Sequence, residues 1–179
     1  ELAPFSLSGT LNEVNNSFET QAKDKKLALE LEVDPEIPEM LIGDDMRIMQ
    51  VMYNLIGNGI KFTEQGSVTV RVKKQEITAP GRILILFEVA DTGIGMDEEQ
   101  QEMIFDAFSH ADSSHSRRYG GTGLGLPISR RIVQQMGGDI HLVSNKGEGA
   151  MFWFVIPFSV PDLSGKATLS DSVMAESDD

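Results

Sequence analysis

The chain has 179 residues, 40% of them hydrophobic and 24% charged, which is enough for one domain with a real core. Its formal net charge of −13 argues against nucleic acid, whose binding needs a basic face. There is no cysteine, hence no disulfide framework or thiolate zinc site, and no apolar run or signal-peptide pattern that would put the segment in a membrane.

Residues 1–9 read as a short lead-in. Leu7, Leu11, Val14 and Phe18 are spaced four, three and four apart, which predicts a helix over residues 7–25. Leu27, Leu29, Leu31 and Val33 alternate with Ala28, Glu30 and Glu32, a strand with one wet face, and Pro35 and Pro38 break it. Asp44 or Asp45 can cap the next helix. Its apolar side is Ile48, Val51, Met52, Leu55, Ile56 and Ile60, and it ends near Thr63. Residues 68–72 and 83–89 predict an antiparallel hairpin with a loose loop around Ala79-Pro80-Gly81.

Asp97 caps a short helix with Met103, Ile104 and Phe105 on its apolar side, and Phe108 follows. Residues 110–120 are polar and aperiodic, a mobile loop. The chain then reads RRYGGTGLGLPISRRIVQQMGG over residues 117–138. A glycine-rich stretch feeds an amphipathic helix with Leu126, Ile128, Ile132, Val133 and Met136 apolar, closed by Gly137 and Gly138. Residues 139–144 and 150–157 form a second hairpin. Its second strand is apolar on both sides and therefore central. Residues 160–179 are rich in Ser, Asp and Glu and have no period, a linker or disordered tail. Helices mixed with hairpins predict a two-layer α/β sandwich, with helices on one face of a mixed, mostly antiparallel sheet.

Three segments carry candidate chemistry. A glycine loop entering a helix offers unpaired N–H groups and a dipole to phosphate, or it is only a hinge. It is neither a Rossmann fingerprint nor a P-loop. On the second helix Asn54, Asn58 and Lys61 are four and three apart and share one face. Two amides and an ammonium there suit a magnesium triphosphate, or form a solvated polar stripe. Asp91-Thr92-Gly93-Ile94-Gly95 leaves a strand end, where one carboxylate beside two glycines could accept the exocyclic amine of adenine, or simply turn the chain.

In order the motifs read NLIGNGIKFT, DTGIGM, FDAF and GGTGLGL. With that order and spacing the sequence resembles the catalytic ATP-binding domain of sensor histidine kinases, in the family that also holds gyrase-, Hsp90- and MutL-type ATPases. The resemblance covers about residues 5–158. It implies the Bergerat α/β sandwich over residues 10–159, with ATP between the helix layer and a lid. It implies that Asn58 is the magnesium ligand, with Asn54 beside it, Lys61 on the phosphates and Phe62 next to them. It further implies that Asp91 reads adenine, that Gly93 and Gly95 let the base approach, and that Ile94 and Met96 wall it. Phe105 and Phe108 match the motif that anchors the lid. Gly121, Thr122, Gly123, Leu124, Gly125 and Leu126 match the glycine box around the phosphates. Arg117 and Arg118 become candidates for the γ-phosphate, and the sequence does not decide between them. Gly59 departs from the alanine usual in the family, which implies a slightly looser helix.

The resemblance also separates branches. Where the ATPases carry a glutamate that activates water, this chain has Asn54, and an amide cannot take a proton. Slow hydrolysis is expected, with phosphoryl transfer resting on positioning and charge neutralisation. None of His110, His115 and His141 is followed by the acidic residue of the family's phosphorylated histidine. The acceptor is therefore expected on a separate dimerisation domain, joined through residues 1–9, and the tail is expected to lead to a response-regulator receiver domain of a hybrid kinase. The implied setting is cytoplasmic, with ATP and Mg²⁺ as cofactors. The rival readings are a gyrase- or Hsp90-like ATPase and a non-catalytic module that only binds a partner.

Overall fold

The computed structural model describes residues 1–105 and 125–161. Ser6 accepts a hydrogen bond from the Gly9 N–H at 3.1 Å and so starts α1 (Leu7–Ser17), which buries Leu7, Leu11 and Val14. The helix expected over residues 7–25 is in fact two. The helix is interrupted at Phe18, with φ −101° and ψ −2°, where the N–H turns to Asn15 O at 3.1 Å, and it resumes as α2 (Glu19–Asp24). The apolar period does not register this break, because Phe18 is itself buried on the inner side.

The long central helix α3 (Asp45–Phe62) is started by Asp44, whose carboxylate accepts the Arg47 N–H at 3.2 Å. Ile48, Val51, Met52, Leu55, Ile56 and Ile60 are buried along it, as their spacing predicts. Each such side chain contributes about 1.5–3 kcal/mol of gross hydrophobic stabilisation. The remaining helices among the described residues are α4 (Glu98–Met103), closed into a capping box by Asp97 and Gln100, and α5 (Gly125–Gln135).

Among the described residues the sheet has seven strands: β1 (Ala3–Phe5), β2 (Ala28–Val33), β3 (Leu41–Gly43), β4 (Ser67–Ala79), β5 (Arg82–Asp91), β6 (His141–Ser144) and β7 (Ala150–Ser159). Their order is β1-β3-β7-β5-β4-β2, with β6 also paired to β7. The β2–β4 pair is parallel and the others antiparallel. Residues 1–9 are therefore more than a lead-in, since they supply β1 and the first turn of α1. The first hairpin is longer than expected, running out to Pro80-Gly81 with register shifts between Lys74 and Ala79. β7 is central, as its doubly apolar pattern required. It pairs with β5 along one edge and with β6 and β3 along the other.

Period two and the register together build the core. Phe87 lies opposite Phe154, Ile85 opposite Ile156 and Val89 opposite Phe152, all on the buried face. The Phe87 and Phe154 rings stack at 4.8 Å between centroids. Helix α3 packs across β4 and β5 on that face, flanked by α1 and α5. It is the element through which the polar segments meet.

Candidate functional site

The C-terminal end of α3 is held from two directions. The Lys25 Nζ donates to Ile60 O at 2.6 Å and Lys61 O at 3.3 Å, and the Ile94 N–H donates to Phe62 O at 3.3 Å. Carbonyls that a helix end leaves without partners are thereby satisfied, and a cation sits at the negative end of the dipole. This fixes the turn that carries Lys61 and follows Asn58. Both are half-buried. Burial lowers the pKa of Lys61, whose ammonium lies 5.8 Å from the Phe62 ring centroid.

Asp91 is the last residue of β5 and packs against this end of α3. A Cβ at Gly59 would come within 3.7 Å of the Asp91 Cβ. Burial raises the Asp91 pKa, while hydrogen bonds from the Gly93 N–H, at 2.9 Å, and the Ala150 N–H oppose the rise. Gly93 fits where no side chain could. A Cβ there would overlap Phe62 O, and would lie 2.9 Å from Thr63 Oγ1 and 3.0 Å from Asp91 Oδ1. Thr63 is fully buried, and its hydroxyl has no hydrogen-bond partner among the described residues. A buried hydroxyl in that state is costly unless water or a ligand reaches it.

The rest of this loop is tied to the β6–β7 hairpin through backbone and side chains. Gly95 has φ +66°, a conformation that favours glycine. The Gly147 N–H donates to Ile94 O at 2.6 Å, and the Met96 N–H to Ser144 Oγ at 2.9 Å. The Gln101 Nε2 donates to Met96 O at 2.9 Å and to Ser144 O at 3.0 Å. Sequence reading missed Thr63, Ser144 and Gln101, since isolated polar residues near turns carry no period.

On the other flank, Asn54 meets the start of α5. Its Nδ2 donates to Ser129 Oγ at 2.8 Å, and a Cβ at Gly125 would overlap its Oδ1. Leu126 is buried beside them. α5 is turned somewhat from the expected face. Ile128, expected among the apolar residues, is 45% exposed, whereas Ser129 is 1% exposed. Phe105 stands edge-on to Phe152 at 6.2 Å, with the Arg130 guanidinium 5.3 Å from its ring centroid. The Arg130 Nε in turn donates to Asp139 at 2.9 Å, which lowers the Asp139 pKa and raises that of Arg130. Phe108, Arg117, Arg118, Gly121, Thr122, Gly123 and Leu124, with His110 and His115, lie outside the described residues.

The structure thus brings Asp91, Gly93 and Ile94 against the end of α3, and Gly125 against Asn54 one turn before Asn58. A helix-covered mixed sheet with its polar motifs drawn to one central helix defines a class, the two-layer α/β sandwich. The chain belongs to the family of histidine kinase-, DNA gyrase B-, and HSP90-like ATPases, whose profile matches residues 43–160. It is 44% identical over 156 residues to the signal transduction histidine-protein kinase BarA of Escherichia coli (strain K12). That match takes in 87% of this chain but 17% of the relative, so the chain spans about a sixth of that protein's length. Full-length ShkA, crystallised in complex with AMPPNP, is 34% identical with a TM-score of 0.75, covering 90% of this chain and 32% of that one. The catalytic domain of the histidine kinase ThkA, nucleotide free, is 28% identical with a TM-score of 0.67, covering 88% of this chain and 95% of that one. The chain is therefore homologous to histidine kinase catalytic domains. No helix among the described residues is long and apolar enough to cross a membrane.

Proposed function

We propose that the chain binds Mg-ATP and passes the γ-phosphoryl group to a histidine on a separate dimerisation domain, as the cytoplasmic catalytic domain of a two-component sensor histidine kinase. The observation that carries this reading is Asp91. It is a largely buried carboxylate at a strand end, braced by the Gly93 N–H and packed on the helix that bears Asn58 and Lys61. The residues present fit the nucleotide. Gly93 and Gly95 let the loop close against Phe62 and the β6–β7 hairpin, which holds Asp91 where it accepts the adenine amine, and the buried Thr63 hydroxyl has no partner among the described residues. Asn58 offers a hard oxygen to magnesium and Lys61 a charge to the phosphates. Bound Mg²⁺ supplies neutralisation of the charge on the phosphoryl oxygens.

Asn54 cannot act as a base, and its amide is engaged by Ser129. This supports transfer to an external acceptor over hydrolysis. Arg117 and Arg118 are the candidates for the γ-phosphate, and a receiver domain, in this chain's parent or apart from it, is the onward acceptor.

Calorimetric titration with AMPPNP and GTP, before and after Asp91→Asn, tests the reading. Loss of a charge-assisted hydrogen bond should weaken AMPPNP binding by roughly ten- to a hundredfold. Equal binding of both nucleotides, unchanged by the substitution, would remove Asp91 as the adenine reader.

A further inference from the structure

We infer that Ser129 is a positioning residue for the nucleotide site. By holding the Asn54 amide, it keeps the helix that follows the glycine loop in register with the helix that carries Asn58 and Lys61. The inference rests on the functional reading above and names what couples the two sides of that site.

Two independent features of α5 converge on Asn54. Gly125 and Ser129 are four residues apart, hence one above the other on the same helix face. Ser129 is 1% exposed and sits where the amphipathic pattern calls for an apolar side chain. A hydroxyl buried there is costly unless bonded. Its partner lies 75 positions away, the Asn54 Nδ2 at 2.8 Å. One turn earlier, the missing side chain of Gly125 leaves the space that the Asn54 Oδ1 occupies. The amide thus sits in a notch between a glycine and a serine, fixed at both of its ends.

The consequence follows from where each element leads. α5 begins where the glycine box Gly121–Gly125 ends. Asn54 stands one turn before Asn58 on α3. If α5 shifts against α3, its first turn, which carries Gly125 of that box and Leu126, shifts against the proposed metal ligand. Asp91 is braced elsewhere, by the Gly93 and Ala150 N–H groups, and Met96 of the same loop by Ser144 and Gln101, so this end need not follow. Ser129 should therefore matter for a metal-bound triphosphate and not for the adenine end.

The test is calorimetry on the full chain with two probes, AMPPNP plus Mg²⁺ and ADP in EDTA. Ser129→Ala should weaken the first about fivefold or more and the second less than about twofold, the range of one lost hydrogen bond. Ser129→Thr keeps the hydroxyl and should restore AMPPNP binding, a rescue that mere packing would not predict. In an Asn54→Ala background Ser129→Ala should cost nothing further, because paired residues act as a unit. Unchanged AMPPNP binding in Ser129→Ala, or equal weakening of both probes, overturns the inference. Should Ser129→Ala fail to fold, Gly125→Ala displaces the amide from its other end, and it must show the same selective loss or the inference falls. A wild-type chain that binds neither probe overturns the functional reading itself.

Discussion

The two flanks of α3 are held by different means. On the Asp91 flank each of these contacts has main chain on at least one side: Gly93 and Ala150 N–H groups on the carboxylate, the Ile94 N–H on Phe62, Gly147 on Ile94. On the α5 flank the polar contacts among the described residues are side-chain pairs, Asn54 with Ser129 and, at the exposed far end, Arg47 with Gln135. Backbone contacts hold whatever side chains stand nearby, so long as the glycines that permit the close approach remain. A side-chain pair can be lost with a single hydroxyl. On the proposed reading, one flank presents a fixed acceptor, and the other depends on side chains that a single substitution removes.

The severest way to break this contrast is Gly93→Ala. The added methyl would overlap Phe62 O and press on Thr63 Oγ1 and the Asp91 carboxylate, in a place where main chain cannot give way easily. Forcing volume into such a site costs about 1–3 kcal/mol, and the displaced Asp91 should lose adenine nucleotides altogether. Urea unfolding and nucleotide titration read the two effects separately. A variant with full stability and full affinity would show that this flank is looser than its contacts imply.

What could be read from the sequence follows the same division. α3, β5 and β7 announce themselves because Ile48 to Ile60, Ile83 to Val89 and Met151 to Ile156 bury their apolar residues with regular periods. β1 and β3 are three residues each, and β3 pairs with β7 at one register position, Ile42 with Ser159, too little for any period to show. The parallel β2–β4 pairing is long-range and has no local signature. Of the site, the Asn54–Lys61 stripe and the Asp91 loop were legible because residue types and spacing encode them. The Asn54–Ser129 contact was not, since it depends on how α5 is rotated. The same rotation exposes Ile128 against its apolar character.

A smaller effect sharpens the account of Asp91. Burial disfavours its charged form, so its folded-state pKa lies above the ordinary aspartate value. Below the ordinary range the folded and unfolded chains both hold the proton, and no penalty arises. As pH rises through the raised pKa the folded chain must bury a charge, and its stability falls relative to a chain with a neutral group there. Asp91→Asn should therefore raise the melting temperature of the free chain at neutral pH, with the gain vanishing in acid. A nucleotide amine favours the charged form, so wild-type affinity should drop, as pH is lowered, at a higher pH than an ordinary aspartate would give. A melting temperature that falls in Asp91→Asn at pH 7 would mean the Gly93 and Ala150 hydrogen bonds outweigh burial.

The mildest perturbation is Gly59→Ala, at the point where α3, β4 and Asp91 meet. Alanine gains roughly 0.5–1 kcal/mol over glycine inside a helix. Against that, the new Cβ would stand 3.2 Å from one Val68 methyl and 3.4 Å from the other, tighter than ordinary contact, and 3.7 Å from the Asp91 Cβ, which is ordinary. The close neighbours are side-chain methyls on a strand, so a shift of a few tenths of an ångström relieves them at less than the helical gain. The expected outcome is a stabilisation below about 1 kcal/mol in urea unfolding, with AMPPNP affinity unchanged, because Asp91 is not forced to move. A loss of stability would show that stiff Val68 cannot yield. A loss of affinity with stability intact would show instead that the Asp91 carboxylate is positioned by the empty space at Gly59, and that this flank too depends on side-chain packing.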